Sequence, residues 1–298
     1  MRATEGTTPF KGLETWYRVV GDDEEPGKLP LLLLHGGPGA PHDYLESLEA
    51  VAGTGRRAIF YDQLGCGNSS RSDESLWNVE TFVEEVGVVR EALGLDHTHL
   101  FGSSWGGMLA MEYALTQPRG LASLVLSSSP ASIPLWAEET GRLRAELPPE
   151  VQQVLDEHEA AGTTSSPEYR TAMLEFYNRH VCRADPWPDG VARTFSKMEG
   201  DSDVYNHMQG QNEFVITGTF KDWDITGRLG ELDVPTLFTS GRHDECTPMQ
   251  AEIVHRGIRG SEWVVFEDSS HMQFAEEPER YLEVLDNFLT RVEAEAAG

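Results

Sequence analysis

The sequence predicts an α/β fold, a mostly parallel central sheet flanked by helices with an inserted helical cap, and three observations carry this. Short apolar, β-rich runs alternate with amphipathic helical stretches. Several runs stop abruptly in glycine-rich loops. One stretch, 131–230, breaks the alternation: it holds charge, prolines and helical fragments but no strand-like run.

Pro30 to Leu34 is a continuous apolar run ended by His35-Gly36-Gly37-Pro38-Gly39, the pattern of a buried strand entering a loop. Ala58 to Tyr61 is the next strand, stopped at Asp62. Val79, Phe82, Val83, Val86, Val89 and Leu93 recur at helical spacing, and Gly94 closes that helix. Thr98 to Phe101 is a short strand, followed at once by Gly102-Ser103-Ser104-Trp105-Gly106-Gly107 and a helix to about Thr116. Leu121–Leu126, Val234–Phe238 and Trp263–Phe266 are further strands, and Pro278–Val292 is a final amphipathic helix. Within 131–230, Val151–Glu159 and Glu168–His180 are helical fragments. The expected organisation is a core of residues 1–130 and 231–298, with 131–230 as a helical lid.

Composition removes several function classes. With 39% hydrophobic and 24% charged residues the chain belongs with folded globular proteins. A formal net charge of −27 repels phosphate backbones and anionic lipid surfaces, so neither nucleic acid nor membrane is an expected partner. The same charge either keeps the surface soluble or attracts cationic substrates, such as molecules with a free amine. Met1–Lys11 has neither a basic start nor an apolar segment of a secretory signal. Three widely spaced cysteines, Cys66, Cys182 and Cys246, suit a reduced cytoplasmic protein better than a disulfide framework or a zinc site. No metal and no cofactor is expected.

Gly102-Ser103-Ser104-Trp105-Gly106 matches G-x-S-x-G between a strand and a helix, the context that motif requires. The turn is tight enough that side chains two residues either side of the serine would clash, hence glycine. It presents the Ser104 hydroxyl above the sheet edge at a helix N-terminus, where developing negative charge is favoured. This is the nucleophile elbow of the α/β-hydrolase fold, in which an acid and then a histidine follow in chain order. Asp244 and His271 each lie on a loop just after a strand and meet that order. His243 precedes the acid and breaks it; Asp268 is a weaker alternative acid that would bond its own loop. For the oxyanion hole, the expected donors are the backbone N–H of Trp105, next to the serine, and of Gly37, in the loop after the early strand.

Three further segments then carry a family resemblance: His35-Gly36-Gly37-Pro38-Gly39 with His42-Asp43-Tyr44, Tyr61-Asp62-Gln63-Leu64-Gly65-Cys66-Gly67-Asn68-Ser69, and Gly102-Ser103-Ser104-Trp105-Gly106-Gly107. Together they resemble the proline iminopeptidases, most closely the branch of tricorn-interacting aminopeptidases and L-amino-acid amide hydrolases. Gln211–Gly218 and Lys221–Asp224 extend the resemblance into the lid. It implies release of an N-terminal residue, proline or another small or hydrophobic L-amino acid, from short peptides or amino-acid amides. It also maps the acids that hold the substrate's free amine onto Glu213 in the lid and Glu245 beside the catalytic acid. A charged amine in a dry pocket needs opposite charge, which agrees with that mapping. Asp62 is expected to bond loop amides, and Trp105, Phe101, Tyr205, Phe214 and Trp223 are aromatic candidates for the pocket wall. The expected assembly is a monomer or small homo-oligomer. A general carboxylesterase or lactonase, indifferent to the two glutamates, and a non-catalytic ligand-binding module remain alternatives on the same fold.

Overall fold

A computed structural model of the chain describes residues 2–297. The first two strands, β1 (Ala3–Phe10) and β2 (Leu13–Val20), form an antiparallel hairpin closed by Lys11 and Gly12, both at positive φ. The sequence expectation begins only at residue 30 and misses this hairpin. The reason is physical: β1 is an edge strand exposed along most of its length, so its alternation is faint.

β3 (Leu31–Leu34) and β4 (Ala58–Tyr61) are buried along their whole length, as expected of strands covered on both faces. A 3₁₀ segment, His42–Thr54, joins them. Helix α1 (Val79–Ala92) starts where the Asn78 side chain accepts from the Thr81 amide at 2.9 Å, and Gly94 follows it at φ 63°. β5 (Thr98–Ser103), α2 (Trp105–Leu115) and β6 (Leu121–Ser127) come next.

Between β6 and the following core strand the chain forms α3 (Ile133–Ala145), α4 (Pro149–Ala161), α5 (Pro167–His180), α6 (Asp189–Gly200) and α7 (Asp203–Met208). It also forms a two-stranded ribbon, β7 (Gly210–Asn212) and β8 (Val215–Ile216), whereas the sequence offered no strand signal here. Two or three residues per strand are too few to show a period. The chain then returns through β9 (Thr236–Gly241), α8 (Pro248–Gly257), β10 (Glu262–Phe266), α9 (Gln273–Glu276) and α10 (Pro278–Ala297).

The eight-stranded sheet runs β1-β2-β4-β3-β5-β6-β9-β10, antiparallel from β1 to β4 and parallel from there on. The parallel strands therefore point their C-terminal ends to one edge, where open α/β sheets bind ligands. One apolar cluster packs α1 and α2 against one face of the sheet; a second packs α10 and the 3₁₀ segment against the other. No helix among the described residues is long and apolar enough to cross a membrane.

Candidate active site

Ser104 occupies the β5–α2 turn at φ 55°, ψ −121°, a conformation that L-residues rarely adopt. The neighbouring glycines make it possible. A Cβ on Gly102 would run into the Gly106 carbonyl, and a Cβ on Gly106 into the Leu34 carbonyl of β3. The turn is tied down by the Ser104 amide donating to the Ser127 carbonyl at 2.9 Å. Two amides of α2, Gly107 and Met108, donate to the Ser104 carbonyl, so the hydroxyl stands at a helix N-terminus.

Asp244 follows β9 and His271 follows β10, both buried. His271 Nδ1 lies 2.8 Å from Asp244 Oδ1. The carboxylate is held on every side: the Cys246 amide donates to Oδ1 at 2.8 Å, while the Ser128 hydroxyl donates to Oδ2 at 2.6 Å and Gln273 Nε2 to Oδ2 at 3.3 Å. With Nδ1 committed to the acid, Nε2 is the ring nitrogen left to act as base. Ser104 and His271 line the same cavity, and no hydrogen bond joins their side chains among the described residues. In serine hydrolases this bond commonly tightens only on substrate binding.

Burial opposes a charged His271 ring. The adjoining Asp244 charge and hydrogen bond, and then the Glu213 charge, outweigh it, so the pKa stands above the ordinary histidine value of 6.5. A base must be neutral to accept a proton, so kcat/KM is expected to rise with pH along a limb whose midpoint lies above 6.5. A pH–rate profile with its acid limb below that value contradicts His271 as the base.

Gly37 has φ 109°, and its loop is braced from two directions. The Gly36 amide donates to the Tyr44 hydroxyl at 2.7 Å. His35 Nε2 accepts from the Gln63 amide at 2.9 Å, in keeping with burial holding this ring's pKa below its ordinary value. Gln63 Oε1 in turn accepts from the Trp105 indole at 2.8 Å, so one residue steadies both segments expected to stabilise an oxyanion. The amides of Gly37 and Trp105 make no backbone hydrogen bond among the described residues.

Glu245 is fully buried, and its Oε2 has no hydrogen-bond partner. Its Oε1 lies 3.7 Å from His271 Nδ1. Burial first, then the charges of Glu213 and Asp244, push its pKa well above the ordinary carboxylate range. Glu213 follows β7. Its carboxylate accepts from the Tyr205 hydroxyl at 2.7 Å, and its carbonyl accepts from the Trp136 indole at 2.9 Å. Burial raises its pKa as well, against the Tyr205 bond and the His271 charge. The Trp136 ring stands edge-on to His271 at 5.8 Å between centroids, so α3 touches both groups.

Ser104, His271, Gly37, Glu213 and Glu245 thus line one cavity of about 720 Å³, with Asp244 behind the imidazole and the Trp105 main chain at the elbow. Asp62 bonds loop amides as expected, accepting from His42 and Asn68 at 2.9 and 2.8 Å. The rivals lie apart: Asp268 and His243 are both exposed.

The aromatic expectation needs correction. Tyr205 lines the cavity, but Phe101, Trp105, Phe214 and Trp223 do not. Phe101, Trp105 and Phe214 are core residues, and the Trp223 indole bonds Glu112. The wall is built instead by Tyr44, Tyr169, Tyr177, Trp187 and Phe195. Composition does not separate an aromatic that faces a cavity from one that faces the core. Ser128, Gln273 and Gln63 were also missed, although Ser128 follows β6 at the ligand-binding edge and so carried a positional signal.

His42, Asp43 and Glu46 stand close enough to hold a cation. Each is already engaged: the His42 ring bonds Asp62 at 2.8 Å, while the charges of Asp43 and Glu46 are answered by Lys197 Nζ, 2.7 Å from Asp43, and by Arg193, paired with Glu46.

Residues 30–278 match the family described as alpha/beta hydrolase fold. A proline iminopeptidase of Clostridium botulinum is 43% identical over 98% of this chain and 99% of its own length. Among solved structures, VinJ superposes with a TM-score of 0.94 at 44% identity, covering 97% of this chain and 99% of that one. The proline iminopeptidase of Mycobacterium smegmatis gives a TM-score of 0.91 at 43% identity, covering 98% and 100%.

Proposed function

The chain belongs to the α/β-hydrolase-fold family and, within it, to the proline iminopeptidases, and from that premise we propose that it is a serine aminopeptidase or amidase. In this reading it releases an N-terminal residue, proline or another small or hydrophobic L-amino acid, from short peptides or amino-acid amides. One observation supports the amine requirement above all others. Glu245 Oε2 is buried and lacks any partner in a cavity that it shares with a second acid, Glu213, while Glu245 Oε1 lies 3.7 Å from the candidate base. An isolated buried acid oxygen is costly unless a ligand answers it, and an ammonium or iminium does so.

His271 Nε2 takes the Ser104 proton as Oγ attacks the carbonyl of the first residue. The oxyanion is held by the N–H groups of Gly37 and Trp105. The imidazolium, steadied by Asp244, passes that proton to the departing amine as the C–N bond breaks. Water, deprotonated by the same ring, then cleaves the acyl-enzyme and restores Ser104. Residues 131–230 act as a lid that delivers Glu213 and sheds water from the site. The three cysteines, all free and buried, suit a cytoplasmic enzyme.

The discriminating experiment compares aminoacyl arylamides and amino-acid amides with their N-acetylated counterparts. Turnover is expected for free amines alone. Equal rates on both sets rule out an aminopeptidase and point to an esterase-like hydrolase.

A further inference from the structure

Asp244 and His271 sit on separate loops, after the neighbouring strands β9 and β10, and their 2.8 Å contact depends on how those loops are held against each other. Both loops are fastened to one short stretch, residues 180–183, at the end of α5. On the acid side, the His180 ring donates to the His243 carbonyl at 2.9 Å, and the His180 carbonyl accepts from the Glu245 amide at 3.2 Å. On the base side, the Arg183 amide donates to Glu276 Oε1 at the end of α9.

Glu276 passes that hold to the residue just before the base. Its Oε1 accepts from the Ser270 hydroxyl at 2.8 Å and its Oε2 from the Ser270 amide at 2.7 Å. Gln273 Nε2, one turn back on α9, donates to the Ser270 carbonyl at 2.6 Å. Ser270 is buried with all its polar groups engaged, so the backbone leading into His271 is fixed from three directions. Three donors on two oxygens call for an ionised carboxylate, which only accepts. Burial lifts the Glu276 pKa above the ordinary carboxylate value, against the pull of the Arg183 amide and both Ser270 groups, and the Asp244 charge lifts it further. The other ionisable neighbour on that side is the Cys182 thiol, which burial and then the Glu276 charge push up to about 12.

Glu276 does not line the cavity, and no step of the proposed reaction uses it. We propose that Glu276 is a positioning residue that couples the seating of residues 180–183 to the placement and charge of His271. It rests on the Ser104–His271 pairing proposed above, which an aminopeptidase and an esterase would share. With the 180–183 turn seated, Glu276 is locked between Arg183 and Ser270. With the turn lifted, Oε1 loses a donor and the histidine loop loosens. The carboxylate also favours the imidazolium that forms when Ser104 gives up its proton, adding to Asp244 and Glu213, while Glu245 stands at 3.7 Å on the acid side.

The test is the rate at which a fluorophosphonate labels Ser104, followed across pH in the full chain and in Glu276→Ala, Glu276→Gln and Ser270→Ala, each checked for folding by circular dichroism. Glu276→Ala is expected to slow labelling on the order of 10²-fold, the scale on which a misplacement of about 1 Å is felt. Glu276→Gln keeps one acceptor oxygen and should recover about fivefold of that loss, while Ser270→Ala, which gives up a single hydrogen bond, should cost about two- to tenfold. In both Glu276 variants, and not in Ser270→Ala, the acid limb should move to lower pH, because a charge that supports the protonated ring is gone. Should Glu276→Ala fail to fold, the other two variants decide. Labelling of Glu276→Gln within twofold of the parent overturns the inference. So does a slowed Glu276→Gln whose acid limb stays in place, the result for a side chain that only packs. A parent that is not labelled at all overturns the Ser104–His271 pairing itself.

Discussion

Ser104→Ala is expected to lower kcat on the order of 10⁶-fold, and His271→Ala by a similar factor. The double variant should lose only a few-fold more. The reason is that in the proposed mechanism the two groups form one device. Without the ring, the Ser104 hydroxyl keeps its proton; without the hydroxyl, Nε2 has nothing to activate but water. Asp244→Asn should be milder, about 10⁴-fold, because the amide keeps the hydrogen-bonding shape but favours the wrong ring tautomer and no longer steadies the imidazolium. Its neighbours sharpen the prediction. Asp244 is gripped by the Cys246 amide and the Ser128 hydroxyl, so an amide NH₂ at either oxygen position would face a donor. Steady-state kinetics with one aminoacyl arylamide, supported by active-site labelling with a fluorophosphonate, checks all three. Losses that add in the double variant contradict a shared triad.

How much of this site is legible in the sequence follows from which parts are local. The elbow is local: Gly102, Ser104 and Gly106 are fixed by a clash between neighbours in the chain, and five residues suffice to show it. Asp244 and His271 are distant in sequence but lie on loops that leave parallel strands at one edge, so strand order alone is enough to bring them to that edge. Ser128 and Gln273 were invisible because their roles exist only after folding, when two loops close around one carboxylate. Tyr44 is a similar case, meeting Gly36 across the loop and Thr194 on α6. The N-terminal hairpin was lost for the opposite reason. Its hydrogen bonds are regular, but an edge strand needs no apolar period to make them.

Glu245→Gln and Glu213→Gln are each expected to reduce kcat/KM for free-amine substrates by about 2–5 kcal/mol of transition-state binding, or roughly 30- to 5000-fold. The sign of the pH effect follows from the raised pKa values of both carboxyls. A bound ammonium favours the ionised form, so substrate binding expels protons from the pair, and KM should fall as pH rises through their raised range. Replacing Glu213 also removes a negative charge that supports His271 in its protonated form, so the acid limb of the Glu213→Gln variant should shift to lower pH. A side chain that merely packed would not move that limb. Stability should run the other way from activity. Because the Glu245 pKa is higher folded than unfolded, its contribution is full at low pH and is lost as pH rises and the buried carboxyl is forced to ionise. Glu245→Gln should remove that decline and melt at a higher temperature than the parent at alkaline pH, while binding its amine poorly. Such an exchange of stability for recognition is expected of a site held ready for a cation. A Glu245→Gln variant that loses both stability and activity at every pH would instead mark the residue as a packing element.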